Sequence, residues 1–187
     1  MTEPNKSVEI PTELPVVPLR QFVVFPYMAI PLFLARDRTI QAIDDALAGD
    51  RCVLLTAQVD PELEDPEATG LYRHGTVAMV MRSMRLPDGR VKVLVQGLAR
   101  AEIEDFVDHD SALWACVRPL PADCEPAWSV EIEAVMRAVR SRVEELLSLK
   151  NLPPEVLSVI SNVQEPGRLA DLVASNLKLR LEDAQEI

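Results

Sequence analysis

Aromatic residues make up only 4% of this 187-residue chain, and histidine occurs twice, at His74 and His109. So few rings leave little to stack nucleobases on, and two isolated histidines offer no zinc-ligand pairing. Glycine is scarce too: none of the six glycines precedes a lysine, so no Gly-x-x-x-x-Gly-Lys-[Ser/Thr] phosphate cradle is present. The 30 acidic residues outnumber the 19 basic ones, giving a net charge of −11, and the basic residues form no cluster. That field repels nucleic acid, so no nucleic-acid partner is expected. The three cysteines, Cys52, Cys116 and Cys124, are odd in number and irregularly spaced, which points to free thiols in a reducing compartment. No apolar run approaches the ~20 residues needed to cross a bilayer, and residues 1–12 carry neither a signal-peptide core nor a transit pattern. A soluble, cytoplasmic chain with no membrane partner is expected.

What is present divides the chain by period. Glu13-Leu14-Pro15-Val16-Val17-Pro18-Leu19-Arg20, running on through Phe25-Pro26 to Pro31-Leu32, sets prolines between short apolar runs. Proline donates no backbone hydrogen bond, so this opening reads as two short, edge-like or bulged strands separated by a bend. Asp37 is a plausible N-cap for a helix over 38–48, with Ile40, Ile43 and Leu47 at helical spacing and Gly49 as the stop. Residues 51–56 read as a buried strand, and the acidic, proline-containing stretch 58–70 as a solvated loop. Residues 76–86 and 90–104 are β-rich runs joined by Pro87-Asp88-Gly89, a hairpin signal. Val91, Val93 and Val95 alternate with Lys92, Leu94 and Gln96, as in a strand with one well-buried face. Gly97 marks a bend or bulge, and 111–120 is the last strand.

Beyond Pro119, Pro121 and Pro126 the period becomes helical. Trp128, Ile132, Val135, Met136, Val139, Val143, Leu146 and Leu147 recur at i, i+3, i+4, an amphipathic helix of about six turns. A short helix through Val156, Leu157 and Ile160 is predicted next. Another follows from Pro166 with Leu169, Leu172, Val173 and Leu177 as its apolar face, and a final segment starts near Glu182. The expected fold class is α+β. Residues 1–12 form a flexible N-terminus, 13–120 a β-barrel with one helix, 121–127 a linker, and 128–187 a helical subdomain cut short at its C-terminal end.

The same landmarks carry a resemblance. The opening quoted above, Arg36-Asp37-Arg38, Leu71-Tyr72-Arg73-His74-Gly75-Thr76-Val77-Ala78, and Leu86-Pro87-Asp88-Gly89 through Gly97-Leu98-Ala99-Arg100 follow one another in order. So do Pro153-Pro154-Glu155, Pro166-Gly167-Arg168-Leu169-Ala170-Asp171 and Asn176-Leu177. This ordered set resembles the N-terminal, substrate-binding domain of the ATP-dependent Lon proteases. The resemblance implies a PUA-like β-barrel subdomain followed by an α-helical bundle subdomain. It also implies a parent with an AAA+ ATPase module and a Ser-Lys protease domain, assembled as a homohexamer and using ATP and Mg. The implied role is non-catalytic recognition of unfolded or damaged proteins, together with assembly. No family catalytic residue maps onto this chain, and no catalytic, cofactor or metal site is expected in it. The alternative is a stand-alone Lon-domain adaptor or regulatory protein without an attached protease.

The residues themselves nominate a contact surface. Met28, Met79, Met81 and Met84 fall on β-segments, and flexible thioethers suit surfaces that accept many partners. Met79 and Met81, two apart, share one strand face and Met84 lies on the other; the competing reading is that one or both faces simply fill the barrel core, the Met79/Met81 face before the other. Phe22, Phe25 and Tyr27 concentrate three rings within six positions, and Phe22 and Phe25 cannot both point inward along a regular strand. Arg20, alone among apolar residues, either pairs with an acid or sends its head to solvent while its stem packs, or else marks an anion site.

Overall fold

The computed structural model describes residues 10–109, 112–120, 128–150, 160 and 162–187. The predicted linker 121–127 and the predicted helix positions Val156 and Leu157 lie outside the described residues, as do residues 1–9. The chain forms two compact units that divide between Leu120 and Pro121.

The first unit contains β1 (Glu13–Leu19), β2 (Ala29–Leu34), α1 (Asp37–Ala48), β3 (Cys52–Gln58), β4 (Leu71–Arg85), β5 (Val91–His109) and β6 (Ala112–Pro119). The strands run in the order β2-β5-β4-β3-β1-β6, and β5 pairs with β6 as well. Five strands therefore close into a ring, and β2 hangs from β5 outside it. All pairings are antiparallel except that of β1 with β3. The two halves of β1 use different neighbours: Glu13–Pro15 pair with β6 and Val16–Leu19 with β3. Each half is thus hydrogen-bonded on one side, which lets an interior strand hold Pro15 and Pro18.

Two apolar clusters form the core. Val17, Leu19, Val53, Leu55, Val80 and Val93 pack under Ala42, Ile43 and Ala46 of α1, while Leu14, Val16, Leu54, Val77, Ile103 and Val117 pack together on the other side. β3 sends alternate residues into both clusters, which explains its burial along its whole length and its apolar run Cys52–Leu55. The helix start differs from expectation. Asp37 is the first helical residue and Arg36 the cap, and no cap side-chain bond forms. Thr39 Oγ1 instead donates to the Arg36 carbonyl at 2.9 Å. The Pro87-Asp88-Gly89 turn closes as expected, with Gly89 at φ 82° and Leu86 N donating to Arg90 O at 2.8 Å.

The second unit contains α2 (Val130–Lys150), α3 (Pro166–Asn176) and α4 (Leu181–Gln185). Met136, Ile160, Val163 and Leu169 form its core, with Ile132, Val139, Val143, Leu172 and Val173 packed against them. Trp128, Val135 and Leu177 belong to the expected stripes yet stand exposed.

Arg51 has positive φ, 62°, and stands just before β3. Its carbonyl accepts from Val80 N at 2.8 Å, its Nε donates to Val80 O at 3.1 Å and its Nη2 to Met81 O at 3.3 Å. The β4–β5 register shifts at this point, between Val80 and Arg82, so Arg51 clamps a β-bulge. Arg51→Ala should lower the unfolding free energy by about 1 kcal/mol, losing the clamp while keeping the backbone cost. Arg51→Gly should lose less, because glycine accepts the positive φ. Urea unfolding of the two variants checks this, and equal losses contradict it. Burial, and then the charge of Asp50, hold the Cys52 thiol above its ordinary pKa. Cys52 should therefore resist a thiol reagent at neutral pH until the chain is unfolded in urea. Labelling sites read by mass spectrometry test this, and fast labelling of folded Cys52 contradicts it.

Candidate functional site

β2 alternates cleanly. Leu32 and Leu34 point into the core, and Ala29, Pro31 and Phe33 point out. Register carries that outer side across three strands. Phe33 stands opposite Lys92 and Lys92 opposite Met84; Pro31, Leu94 and Arg82 form the next row, and Ala29, Gln96 and Met79 the third. The Lys92 ammonium lies 5.5 Å from the Phe33 ring centroid, so its charge rests on the aromatic face rather than on an acid. The exposed apolar side chains here run from 38% of full exposure for Phe22 to 57% for Phe33, with Tyr27, Met81, Met84 and Leu94 between.

The expected division of the methionines is corrected by the bulge. Met81 is the extra residue between Val80 and Arg82, so face parity reverses there. Met79 and Met84 therefore share the outer face, opposite Gln96 and Lys92, and Met81 is exposed at the bulge itself. A strict two-residue period cannot anticipate an inserted residue.

The entry to β2 corrects two further expectations. Met28 N donates to Phe25 O at 3.2 Å, and Pro26 and Tyr27 (φ 67°) fill the turn between them. Proline second and a positive φ third describe a type II turn, with tyrosine where glycine is usual. The turn sits on Gly97: Tyr27 N donates to Gly97 O and Gly97 N to Met28 O, both at 2.9 Å. A Cβ on Gly97 would lie 2.4 Å from the Phe25 carbonyl oxygen, so only glycine admits this approach. Phe25 is thereby buried, 5.8 Å beneath the Arg100 guanidinium, and leaves the contact surface. Met28 also turns inward, packing on the core while its Sδ accepts from Phe25 N at 3.2 Å. Tyr27 is thrown outward.

Beside β2 runs a groove of about 480 Å³. Pro18–Phe22 form one wall and Pro31–Arg36 the other, with Thr39 at one end. Arg20 is exposed here, its head in solvent, and Arg36 donates from Nη2 to Gln58 Oε1 at 2.8 Å. Burial, and then the charge of Arg20, lower the Arg36 pKa from its ordinary value. Among the described residues no carboxylate lines the groove, although Asp65 and Glu64 act on Arg36 from nearby.

Among the described residues no group of three His, Cys, Asp or Glu side chains could hold a metal ion. His109 Nε2 lies 3.6 Å from Glu13 Oε1 with its ring edge-on to Trp114, and His74 is exposed on β4. No helix of the described residues is long and apolar enough to cross a membrane. Sequence reasoning missed Phe33, Pro31 and Leu94. The outward direction of Leu94 was already implicit in the alternation of Val91, Val93 and Val95, but Phe33 needed the start of β2 to be known.

The comparisons with known proteins agree on one family. The pattern described as "ATP-dependent protease La (LON) substrate-binding domain" matches residues 13–187. A Lon protease of Geobacter metallireducens is 47% identical over 98% of this chain, and one of Xanthomonas oryzae is 42% identical over 94%. The chain covers 22% and 21% of those two proteins, about a fifth of their length. The N-terminal domain of a Mycobacterium avium complex Lon protease has the same fold. Its TM-score is 0.75 at 24% identity, over 93% of this chain and 88% of that one. The ordered landmarks, the closed ring with its following helices and the match over residues 13–187 converge: this chain belongs to the Lon substrate-binding domain family.

Proposed function

We propose that the chain is the substrate-holding and assembly part of an ATP-dependent Lon protease and binds exposed apolar segments of unfolded or damaged proteins. The observation that carries this reading is the outer face of β2, β5 and β4, where Phe33, Leu94, Met81 and Met84 stand exposed with Phe22 and Tyr27 nearby in sequence. A soluble domain seldom leaves apolar side chains together in water unless something covers them. Aromatic and thioether groups accept many side-chain shapes, which suits a binder that must not be selective. Each contact is weak, so copies of the domain around one substrate add affinity by raising its effective concentration. On this reading the parent is a cytoplasmic homohexamer whose AAA+ module uses ATP and Mg and whose Ser-Lys site cuts the chain delivered to it.

Replacing two half-exposed side chains, Phe33→Ser with Met84→Ser, removes burial worth about 1 kcal/mol each on binding. Affinity for a reduced, carboxymethylated protein should fall about tenfold or more, with circular dichroism unchanged. Wild-type affinity in this variant, or an equal loss on mutating exposed Val135 of α2, overturns the assignment. The affinity should also change little between low and moderate salt, because apolar burial drives it. Purified chain is expected to hydrolyse neither ATP nor peptide. Hydrolysis abolished by a point substitution within the 187 residues contradicts the domain reading.

A further inference from the structure

The edge of β2 carries information that its face does not. Gly97 N donates to Met28 O and Gly97 O accepts from Tyr27 N, so Tyr27 and Met28 together oppose Gly97 as a bulge at a hydrogen-bonded position. Counting along the register, Ile30 with Val95, Leu32 with Val93 and Leu34 with Val91 are the next such pairs. The backbone groups of Ala29, Pro31 and Phe33 then point away from β5, to the side where, among the described residues, no strand pairs with β2. Pro31 fits this assignment, because a residue without an N–H can only stand in the non-hydrogen-bonded position opposite Leu94. The free edge thus presents three carbonyls, of Ala29, Pro31 and Phe33, and two N–H groups, of Ala29 and Phe33.

The groove described above lies along that edge. Six consecutive residues, Pro31–Arg36, line it, inward and outward side chains alike. A strand seen from its face contributes every second residue; one seen along its edge contributes each in turn. Five consecutive residues, Pro18–Phe22, form the facing wall, and the volume of about 480 Å³ lies within the range of ligand clefts, roughly 300–1,000 Å³. Natural edges are commonly blunted by lysine, inward charges or a covering element. Here Pro31 removes one donor, but among the described residues no lysine or carboxylate lines the groove and five hydrogen-bonding groups remain.

We propose that β2 takes an extended segment of unfolded polypeptide as an added strand along this edge, seated in the groove between Pro31–Arg36 and Pro18–Phe22. The inference rests on the preceding reading that the chain holds non-native protein, and specifies how. Alternating donors and acceptors repeating every ~6.8 Å are matched by a polypeptide backbone, which every unfolded protein carries whatever its sequence. Main-chain bonds supply sequence-tolerant affinity. The added strand's outward side chains then continue the rows of Phe33, Lys92 and Met84 and of Pro31, Leu94 and Arg82, so the edge and the apolar face act on one segment. Arg20 and Arg36 are the charged side chains of the groove lining, and although Asp65 and Glu64 act on Arg36 from beyond it, the two arginines set positive charge against a segment bearing a carboxylate. Folded proteins, whose backbone groups are already paired, are refused.

Backbone N-methylation separates strand addition from apolar contact. A ten-residue peptide of alternating valine and threonine is compared with two versions carrying four N-methyl groups each. In one the methyls sit at alternate residues and block a single edge; in the other they sit at two adjacent pairs and block both. The parent and the one-edge version should bind the chain within about twofold of each other, and the two-edge version at least tenfold more weakly. Amide exchange of Ala29 and Phe33 should be fast in the free chain, unlike that of Ile30, Leu32 and Leu34, and should slow at least tenfold with the parent peptide. Equal binding of all three peptides overturns strand addition and leaves the apolar face as the binder. Binding by none of them overturns both readings. Protection of Ala29 and Phe33 without peptide also overturns the proposal. Protection that rises with protein concentration identifies a second copy as the occupant of the edge; protection independent of concentration identifies the chain itself.

Discussion

The architecture of the first unit depends on how one strand divides its hydrogen bonds. β5 is 19 residues long and pairs with β4 along most of its length, but its other side is shared. Val91–Gln96 pair with β2, and Ala101–His109 with β6. The second half closes the ring; the first half carries a strand that the ring does not need. Between the halves lies Gly97, on whose bare Cα the Phe25–Pro26 backbone rests. A side chain there would push that turn away, and with it the start of β2. The exposed face and the free edge both follow from that junction.

Backbone detail then decides which apolar side chains are available. Tyr27 and Arg51 both hold positive φ, a conformation that costs non-glycine residues about 1–2 kcal/mol. Each stands where the chain is redirected. At Tyr27 the type II turn buries Phe25 and draws Met28 inward, leaving the ring of Tyr27 outside. At Arg51 the clamp on Val80 and Met81 maintains the bulge that brings Met79 and Met84 to one side. In both places the local cost is spread over hydrogen bonds to β4 or β5, and the outcome is a face assembled from residues far apart in the chain.

On the proposed reading the face and the edge divide two kinds of work. Apolar burial would supply affinity without regard to sequence, while an open ladder edge would distinguish extended backbone from folded surface. The two units also differ in how they hold together. The first is closed by long-range strand pairing, and the second by a small cluster around Met136 and Leu169 that leaves Trp128 and Val135 in water.

Much of this was legible in the residues alone. The helix over α1, the valine alternation of β5, the Asp-Gly turn and the change of period after Pro119 all arise from contacts close along the chain, and the ordered landmarks of the Lon family are read as residue identities. Alternation and helical spacing report local geometry, and local geometry is what a sequence encodes directly. The contact surface was legible only in part. Phe22, Tyr27, Met81 and Met84 were among the contact candidates and do stand exposed, but the sequence left core and surface open for them, did not separate Phe25 and Met28 from them, and overlooked Phe33. The reason is physical: a one-residue bulge reverses facing, a glycine admits a turn from a distant segment, and a strand has a free edge only relative to its neighbours. Register, closure and edge are relations between segments, so tertiary structure alone decided them.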